Sequence, residues 1–551
     1  MIIGIDIGGT HTDAVCVDGR NITATAKTVT GDDLVHTIRD AIEALAIDFS
    51  KISRTVLSTT LSTNSIIEKK YAPAGMIVSA GPGIDPRRYF FTDDFHLVEG
   101  AIDHRGREYI PIRADEVARV AGTLKKKGVD GVGIVSKFSV RNPSHEIAIH
   151  SIINSEFEHV SLGHTLSGGL NFPRRIHTTF FNTAVMPVQK RFVHSVRKAL
   201  AELGIRSPLL FLKADGGTFS DSAADRHPVE TILSGPAASM MGGLALCHDP
   251  QTTTLMLDIG GTTTDIGILI GGVPILEPKG VDIGGLKTLV RGLKVMSVGA
   301  GGDSCVRVSG SEILVGPDRD GPPACMGGPS PTPMDALAVL GQFTKGDRQK
   351  AVQAVTPIAG RLGQDLSDVC RRIISILVGN IKKSACAFID EVNRHPVYTI
   401  YEMLHPEIVE PGQLMAIGGP AAQLKPYLEE SFGMRCTVPE HAMVANALGA
   451  ALARTTRQIT LTADTQLRRM ICPELGIDEQ IPASMTLSDL RRRGERELRD
   501  NADRLGISAQ GEISVLEEQV FNIVRGFSTT GRNMRLKLQT KPGVIEEWSA
   551  L

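Results

Sequence analysis

The chain has little that would tie it to nucleic acid, to a membrane or to an oxidising compartment. Aromatic residues make up 4% of its 551 positions, with one tryptophan, too few planar side chains for a base-stacking surface. No long basic run occurs and the formal net charge is −2, so the electrostatic footprint of a nucleic-acid binder is missing. The eight cysteines (Cys16, Cys247, Cys305, Cys325, Cys370, Cys386, Cys436 and Cys472) include no Cys-x-x-Cys pair, which argues against structural zinc and a disulfide framework. No apolar run reaches the length of a membrane span. An apolar strand that begins at Met1 leaves no room for a leader, so a cytoplasmic location is expected. A Gly-x-x-x-x-Gly-Lys-Ser/Thr sequence is also absent, and a P-loop is not supported.

What is present has the balance of a soluble globular protein, 42% hydrophobic and 22% charged, long enough for roughly three or four domains. Within it one pattern occurs twice. Residues 6–13 read Asp6-Ile7-Gly8-Gly9-Thr10-His11-Thr12-Asp13, and residues 258–265 read Asp258-Ile259-Gly260-Gly261-Thr262-Thr263-Thr264-Asp265. Each follows an apolar run suited to a buried central strand and precedes a second apolar run, so each reads as a hairpin with a Gly-Gly turn. Glycines let the backbone approach a ligand closely. The amides of Gly8 and Gly9, with the hydroxyls of Thr10 and Thr12, offer donors to phosphate oxygens. Gly260, Gly261, Thr262 and Thr264 repeat the set. Asp6 and Asp258 end their strands, where a carboxylate needs a partner, and a metal ion suits. Asp13 and Asp265 either act directly or fix the hairpins through backbone amides. A single copy could be an ordinary turn; two copies in the two halves point to a shared task, a two-sided phosphate clamp.

The rest of the chain alternates strands and helices. Residues 1–28 suggest three short strands, and 34–46 a helix with Leu34, Ile38, Ile42 and Leu45 on one face. Ser58-Thr59-Thr60-Leu61-Ser62-Thr63-Asn64 is either a helix cap or the polar lining of a site. Residues 84–113 look irregular, and helices at 114–127 and 143–155 alternate with strands at 131–135 and 159–162. A helix over about 180–203 is expected to connect two halves. The second half opens at Leu209-Leu210-Phe211-Leu212 and carries a Gly- and Pro-rich stretch, 271–340, that is either a linker or a binding surface. Strand–turn–helix Leu414-Met415-Ala416-Ile417-Gly418-Gly419-Pro420 places a third glycine-rich turn where a nucleotide's sugar or base could lie. From 460 the character changes: a charged helix at 488–505 and a half-exposed hairpin near 534–543 suggest an appended α+β module. The expected divisions are 1–180 (first lobe, with an insertion at about 84–113), 181–207 (connecting helix), 208–456 (second lobe) and 457–551 (C-terminal module).

Taken with Asp215-Gly216-Gly217, Ser234-Gly235-Pro236-Ala237-Ala238, Gly299-Ala300-Gly301-Gly302 and Pro331-Thr332-Pro333-Met334-Asp335-Ala336, the two hairpins resemble the actin, hexokinase and heat-shock-70 ATPase superfamily. Within it the chain is similar to the ATP-binding A-type subunit of the hydantoinase/oxoprolinase family. The resemblance covers the first 455 residues. It departs at Leu57-Ser58, where the family often has His-Gly, and at Gly81-Pro82-Gly83, which lacks the usual Gly-Phe-Arg-Asp; both regions are expected to face substrate. The resemblance implies an α/β fold: duplicated actin/hexokinase-like ATPase lobes around a nucleotide cleft, plus the small C-terminal α+β module. It implies ATP and Mg²⁺ as cofactors, with Asp6 and Asp258 orienting the metal through water. Gly301 and Gly302 join the nucleotide-binding set, and Gly418 and Gly419 pack near adenosine. The implied activity is ATP-dependent opening of a cyclic amide (hydantoin, 5-oxoproline or lactam type) by phosphorylation of its oxygen. The implied partners are a small cyclic amide or related carbonyl substrate and a B-type hydantoinase subunit, in an oligomer. A carboxylase subunit or small-molecule kinase on the same fold, and an ATPase that remodels a partner protein, are the alternatives.

Overall fold

The β-branched run at the N-terminus forms a central strand because nearly every position can be buried. In the computed structural model, which describes residues 1–247, 249, 251–277, 279–394, 408–504, 513–545 and 548, this run is β1 (Ile2–Ile7). It is followed by β2 (His11–Asp18), β3 (Asn21–Val29) and β4 (Arg54–Thr59). The chain divides into two compact units. The first comprises Met1–Ala237, Leu276–Gly292 and Ala453–Glu547; the second comprises Ala238–Ile275, Leu293–Leu452 and Trp548–Leu551.

In the first unit β1 pairs antiparallel with β2 and parallel with β4, and β4 pairs parallel with Leu209–Leu212. The antiparallel strand Thr218–Ser220 closes that side, and β3 forms the other edge. Strand β3 alternates exposed and half-buried residues, as an edge with one solvated face should. Ile3, Ile5, Leu57 and Phe211 are fully buried and pack in one core with Ile38, Val193 and Leu200. A second, all-parallel sheet runs His159–Leu162, Gly131–Ser136, Ala74–Ser79, Phe95–Leu97. Both of its faces are covered, as parallel sheets require: Met76, Val78 and Val135 lie in one core, and Ile77, Val132 and Ile134 in another.

Three expectations are corrected here. Strand Leu209–Leu212 does not open a second lobe, since its parallel partner is β4. The long helix begins earlier, at Phe172, and ends at Glu202. It does not connect halves, because Ile176, Phe180 and Val185 pack with the second sheet while Val193, Val196 and Leu200 pack with the first. A helix buried on most sides needs no single apolar stripe, so its periodicity does not reveal its extent. Finally, residues 453–547 cluster with the first unit. Their antiparallel sheet runs Ile477–Gln480, Arg469–Cys472, Gln458–Asp464, Ser528–Thr540, Ile513–Arg525, packed with Leu490 and Leu498 of helix Leu487–Arg504. The hairpin lies upstream of its expected place: Met534–Gln539 belongs to its second strand, Ser528–Thr540, whose hairpin partner is Ile513–Arg525.

The second unit repeats the hairpin plan. Thr254–Ile259 pairs antiparallel with Thr264–Ile270 and parallel with Gln413–Ile417. Leu255, Leu257 and Ile259 share a core with Ile373, Leu377 and Ile381 of helix Leu366–Asn393. The Gly- and Pro-rich stretch is ordered in parts. Residues 276–292 belong to the first unit, where Arg174 Nη1 donates to Lys279 O (2.7 Å) and Leu289 N–H donates to Thr178 Oγ1 (2.8 Å). Among the described residues, no helix is long and apolar enough to cross a membrane.

Candidate nucleotide site

The two hairpins have the same register. Asp6 lies opposite Asp13, and Ile7 opposite Thr12. Asp258 lies opposite Asp265, and Ile259 opposite Thr264. Each turn closes on the same bond: Gly8 N–H donates to His11 O (3.0 Å) and Gly260 N–H to Thr263 O (2.9 Å). Those two amides, expected among the phosphate donors, are therefore spent on the turn. Gly9, Thr10, Thr262 and Thr263 are exposed, so the accessible part of each loop is residues 9–11 and 261–263.

Thr12 and Thr264 are also placed differently from the expectation. Both are fully buried. The Thr30 hydroxyl donates to Gly8 O (2.9 Å) and so accepts from Thr12 (3.0 Å). Thr264 Oγ1 donates to Ala300 O (2.6 Å). These hydroxyls brace the hairpins instead of facing a ligand. In the second unit the brace is completed by backbone: Gly302 N–H donates to Gly260 O (2.9 Å) and Asp303 N–H to Gly261 O (2.7 Å). A Cβ on Gly301 would lie 2.5 Å from Gly261 O, which explains a glycine at that position. Gly418, at φ +94°, would place a Cβ 2.3 Å from Ile259 O and 2.8 Å from Asp258 Oδ1, so the third glycine-rich turn packs on the second hairpin. Nothing lies within 4 Å of a Cβ built on Gly419.

The two Asp pairs differ in electrostatics. Opposite Asp13 on β3 stands Lys27, whose Nζ donates to both carboxylate oxygens at 2.8 and 3.1 Å. The corresponding neighbour of Asp265 is Ser297, which donates to Oδ1. Like charges directly opposite on a hairpin repel, and here a serine stands where Lys27 stands beside Asp13. Burial first, and the Asp258 charge second, push the Asp265 carboxyl up to about 7, against the Ser297 hydrogen bond. Asp258 Oδ2 accepts from Ser239 Oγ (2.5 Å) and from Asn446 Nδ2 (3.2 Å). Lys27, Ser239, Ser297 and Asn446 carry no signal of these roles in the sequence. Ser239 lies in the small-residue helix Ser234–Ala245, but neither spacing nor motif sets it apart.

Among the described residues, no three His, Cys, Asp or Glu side chains come together as a metal-ligand set. The Asp258–Asp265 pair nevertheless fits a divalent cation held through water, because its excess negative charge is what such an ion would neutralise. Asp6, expected to share that role, is buried beside an Asp already paired with Lys27, which makes the first hairpin the poorer cation site.

Each unit thus carries a central strand, a Gly-Gly hairpin and a parallel neighbour, a duplicated α/β arrangement. The same fold occurs in solved structures of acetone carboxylase in a nucleotide-free state (TM-score 0.70, 19% identity, 99% of this chain and 88% of that one) and of ATP-dependent caprolactamase from Pseudomonas jessenii (TM-score 0.71, 20% identity, 98% and 87%). Residues 2–157 match the hydantoinase/oxoprolinase N-terminal region and residues 175–459 match hydantoinase/oxoprolinase; the chain belongs to the hydantoinase/oxoprolinase family. In sequence it is 26% identical to caprolactamase subunit alpha of P. jessenii, over 91% of this chain and 76% of that one. It is 24% identical to the acetone carboxylase beta subunit of Xanthobacter autotrophicus (69% and 61%) and to 5-oxoprolinase of Saccharomyces cerevisiae (66% and 30%). The chain therefore spans about three-fifths of the acetone carboxylase subunit and under a third of the oxoprolinase.

Proposed function

We propose that this chain uses ATP to activate the oxygen of a cyclic amide for ring opening, as the nucleotide-binding subunit of a larger enzyme. The observation that carries the reading is the repeated register of the two hairpins, with loops 9–11 and 261–263 presented outward and the threonines behind them locked. Amides and hydroxyls of those loops supply donors for phosphate oxygens. Mg²⁺ would be held through water by Asp258 and Asp265, where it supplies charge neutralisation for phosphoryl transfer. Ser239 and Asn446 orient the Asp258 carboxylate by donating to Oδ2.

The chemistry follows from the reluctance of an amide to lose its oxygen. The γ-phosphoryl group passes to the amide oxygen and ADP leaves. One water adds to the activated carbon, and the C–N bond breaks as the nitrogen takes a proton. A second water releases phosphate. Overall, ATP, the cyclic amide and two waters become ADP, phosphate and the ring-opened amino acid. Caprolactamase and 5-oxoprolinase among the relatives support this reading. The acetone carboxylase relative supports a second one, in which the activated oxygen belongs to a ketone enol or bicarbonate and the product is a carboxylate.

ATP turnover of the chain, alone and with a B-type subunit, tests the proposal. Asp258→Ala and Thr262→Ala are expected to lower turnover by tenfold or more. Unchanged nucleotide binding and turnover in both would sink the phosphate-clamp assignment. Products separate the two chemistries: ring-opened acid without bicarbonate favours the amidase, and strict bicarbonate dependence with a carboxylated product favours the carboxylase.

A further inference from the structure

The antiparallel sheet of the C-terminal segment has Ile513–Arg525 as an outer strand. Among the described residues its one strand neighbour is Ser528–Thr540, so its other side carries a row of N–H and C=O groups outside any ladder. At 13 residues it is about twice the usual strand length. Edges of this kind are ordinarily blunted by shortness, lysine, proline or a bulge. This strand has neither lysine nor proline, and its own bulge lies near one end, between Val515 and Glu517. The other register shift, between Ile523 and Val524, places its extra residue on the neighbouring strand, so Glu517 to Arg525 is continuous.

The side chains on this edge are apolar where a solvated strand would be polar. Phe521 is 59% exposed, and Val520 and Val524 are exposed as well. The few charges are placed asymmetrically: Glu517 and Glu518 are the strand's acids and Arg525 is its base. Glu517 Oε1 lies 3.1 Å from Arg535 Nε, and Glu518 Oε2 lies 2.7 Å from Arg491 Nη2. Arg525 is exposed and has no ion-pair partner among the described residues. A strand with acids towards one end, a base at the other and apolar residues between them is complementary to itself run in the opposite direction.

A two-fold axis normal to the sheet continues it into a second copy with the two edge strands antiparallel. Such an axis keeps each face on its own side, so opposing positions differ by an even number and the axis passes through a residue. Arg525 can therefore stand opposite Glu517 but not opposite Glu518, and that pairing fixes the axis at Phe521. In this register Phe521 meets Phe521 of the copy, and Ile523 meets Gln519. The Glu517–Arg525 pairs close both ends of about 30 Å of ladder. A carboxylate can accept from two cations, so the contact of Glu517 with Arg535 is kept.

We propose that Ile513–Arg525 is an interface between two copies of this chain, which join edge to edge into one continuous sheet with Phe521 on the axis. The inference does not depend on the nucleotide or substrate chemistry. Sedimentation of the full chain over a concentration series is expected to show a dimer. Arg525→Glu sets like charges opposite each other at both ends and is expected to weaken that dimer tenfold or more, whereas Arg525→Lys keeps most of it. Circular dichroism confirms that the variants fold. Cross-linking tests the register. Residues directly opposite in an antiparallel pair have Cα atoms about 4.5–5.5 Å apart, within disulfide range. Phe521→Cys is therefore expected to form a disulfide-linked dimer under mild oxidation. Gln519→Cys, whose two copies lie over about 13 Å apart, is not, and wild type with its exposed Cys386 is the control. A wild-type chain that stays monomeric at every concentration, or that associates only when a B-type subunit is added, would overturn the proposal. So would a dimer indifferent to Arg525→Glu, a folded Phe521→Cys variant that does not cross-link, or equal cross-linking of the two cysteine variants.

Discussion

Replacing Asp265 by Asn removes one of two facing carboxylates without changing the shape of the hairpin, and its effect has a definite sign. The folded carboxyl titrates near 7 against an ordinary value of 3.8. Between those values the folded chain holds a proton that the unfolded chain has released, so stability falls as pH rises and levels off above about 7. A tenfold difference in proton affinity between the two states corresponds to about 1.4 kcal/mol. With the side chain only partly buried, opposition to folding on the order of 2–4 kcal/mol at pH 8 is expected. Asp265→Asn keeps an acceptor for Ser297 and cannot ionise. Its second unit should melt about 5 °C higher than wild type at pH 8, and at the same temperature near pH 4. Mg²⁺ should raise the wild-type melting temperature at pH 8 and the variant's by less. Calorimetric melts from pH 4 to 8, with and without Mg²⁺, provide the measurement. Parallel pH profiles for the two proteins, or a variant less stable at pH 8, would refute the account of the Asp pair.

Other substitutions probe the same framework. Lys27→Ala strips the cation from the first hairpin's Asp pair and should lower stability by about 1 kcal/mol at pH 8 and by less at pH 5, read from melts at the two pH values. Gly418→Ala drives a Cβ towards Ile259 O at a positive φ and should destabilise by more than about 2 kcal/mol. Gly419→Ala, with open space around it, should stay within about 1 kcal/mol, and denaturant titration of the pair compares them. Glu146 is fully buried and accepts from Ser136 N–H, His164 N–H and His164 Nδ1 (2.8, 2.9 and 2.6 Å). Glu146→Ala should cost about 3–5 kcal/mol in thermal melts. Burial alone would raise the Glu146 carboxyl, but His164 and Arg175 hold it below 4.5. Its contribution is thus complete above pH 4.5 and is lost as pH falls further, which an acid titration followed by circular dichroism would register.

The hairpins were legible in the sequence because their determinants are local. A β-branched strand, two glycines and a returning apolar run dictate a strand–turn–strand whatever surrounds them, and the repetition revealed that two existed. The chemistry of their neighbours was not legible. With the turn at Asp18-Gly19-Arg20, a regular ladder would set Asp13 opposite Ala26. A bulge at Thr23 shifts the register so that Lys27 takes that place. Ser297 and Ser239 reach the second hairpin from a strand and a helix that no motif connects to it. Strand Leu209–Leu212 reads as the start of a new lobe because its partner β4 is more than 140 residues earlier. Local backbone preference therefore determined where the two Gly-Gly hairpins lie. Which groups neutralise or orient the facing carboxylates was decided only by tertiary structure, since those groups are brought together from distant parts of the chain.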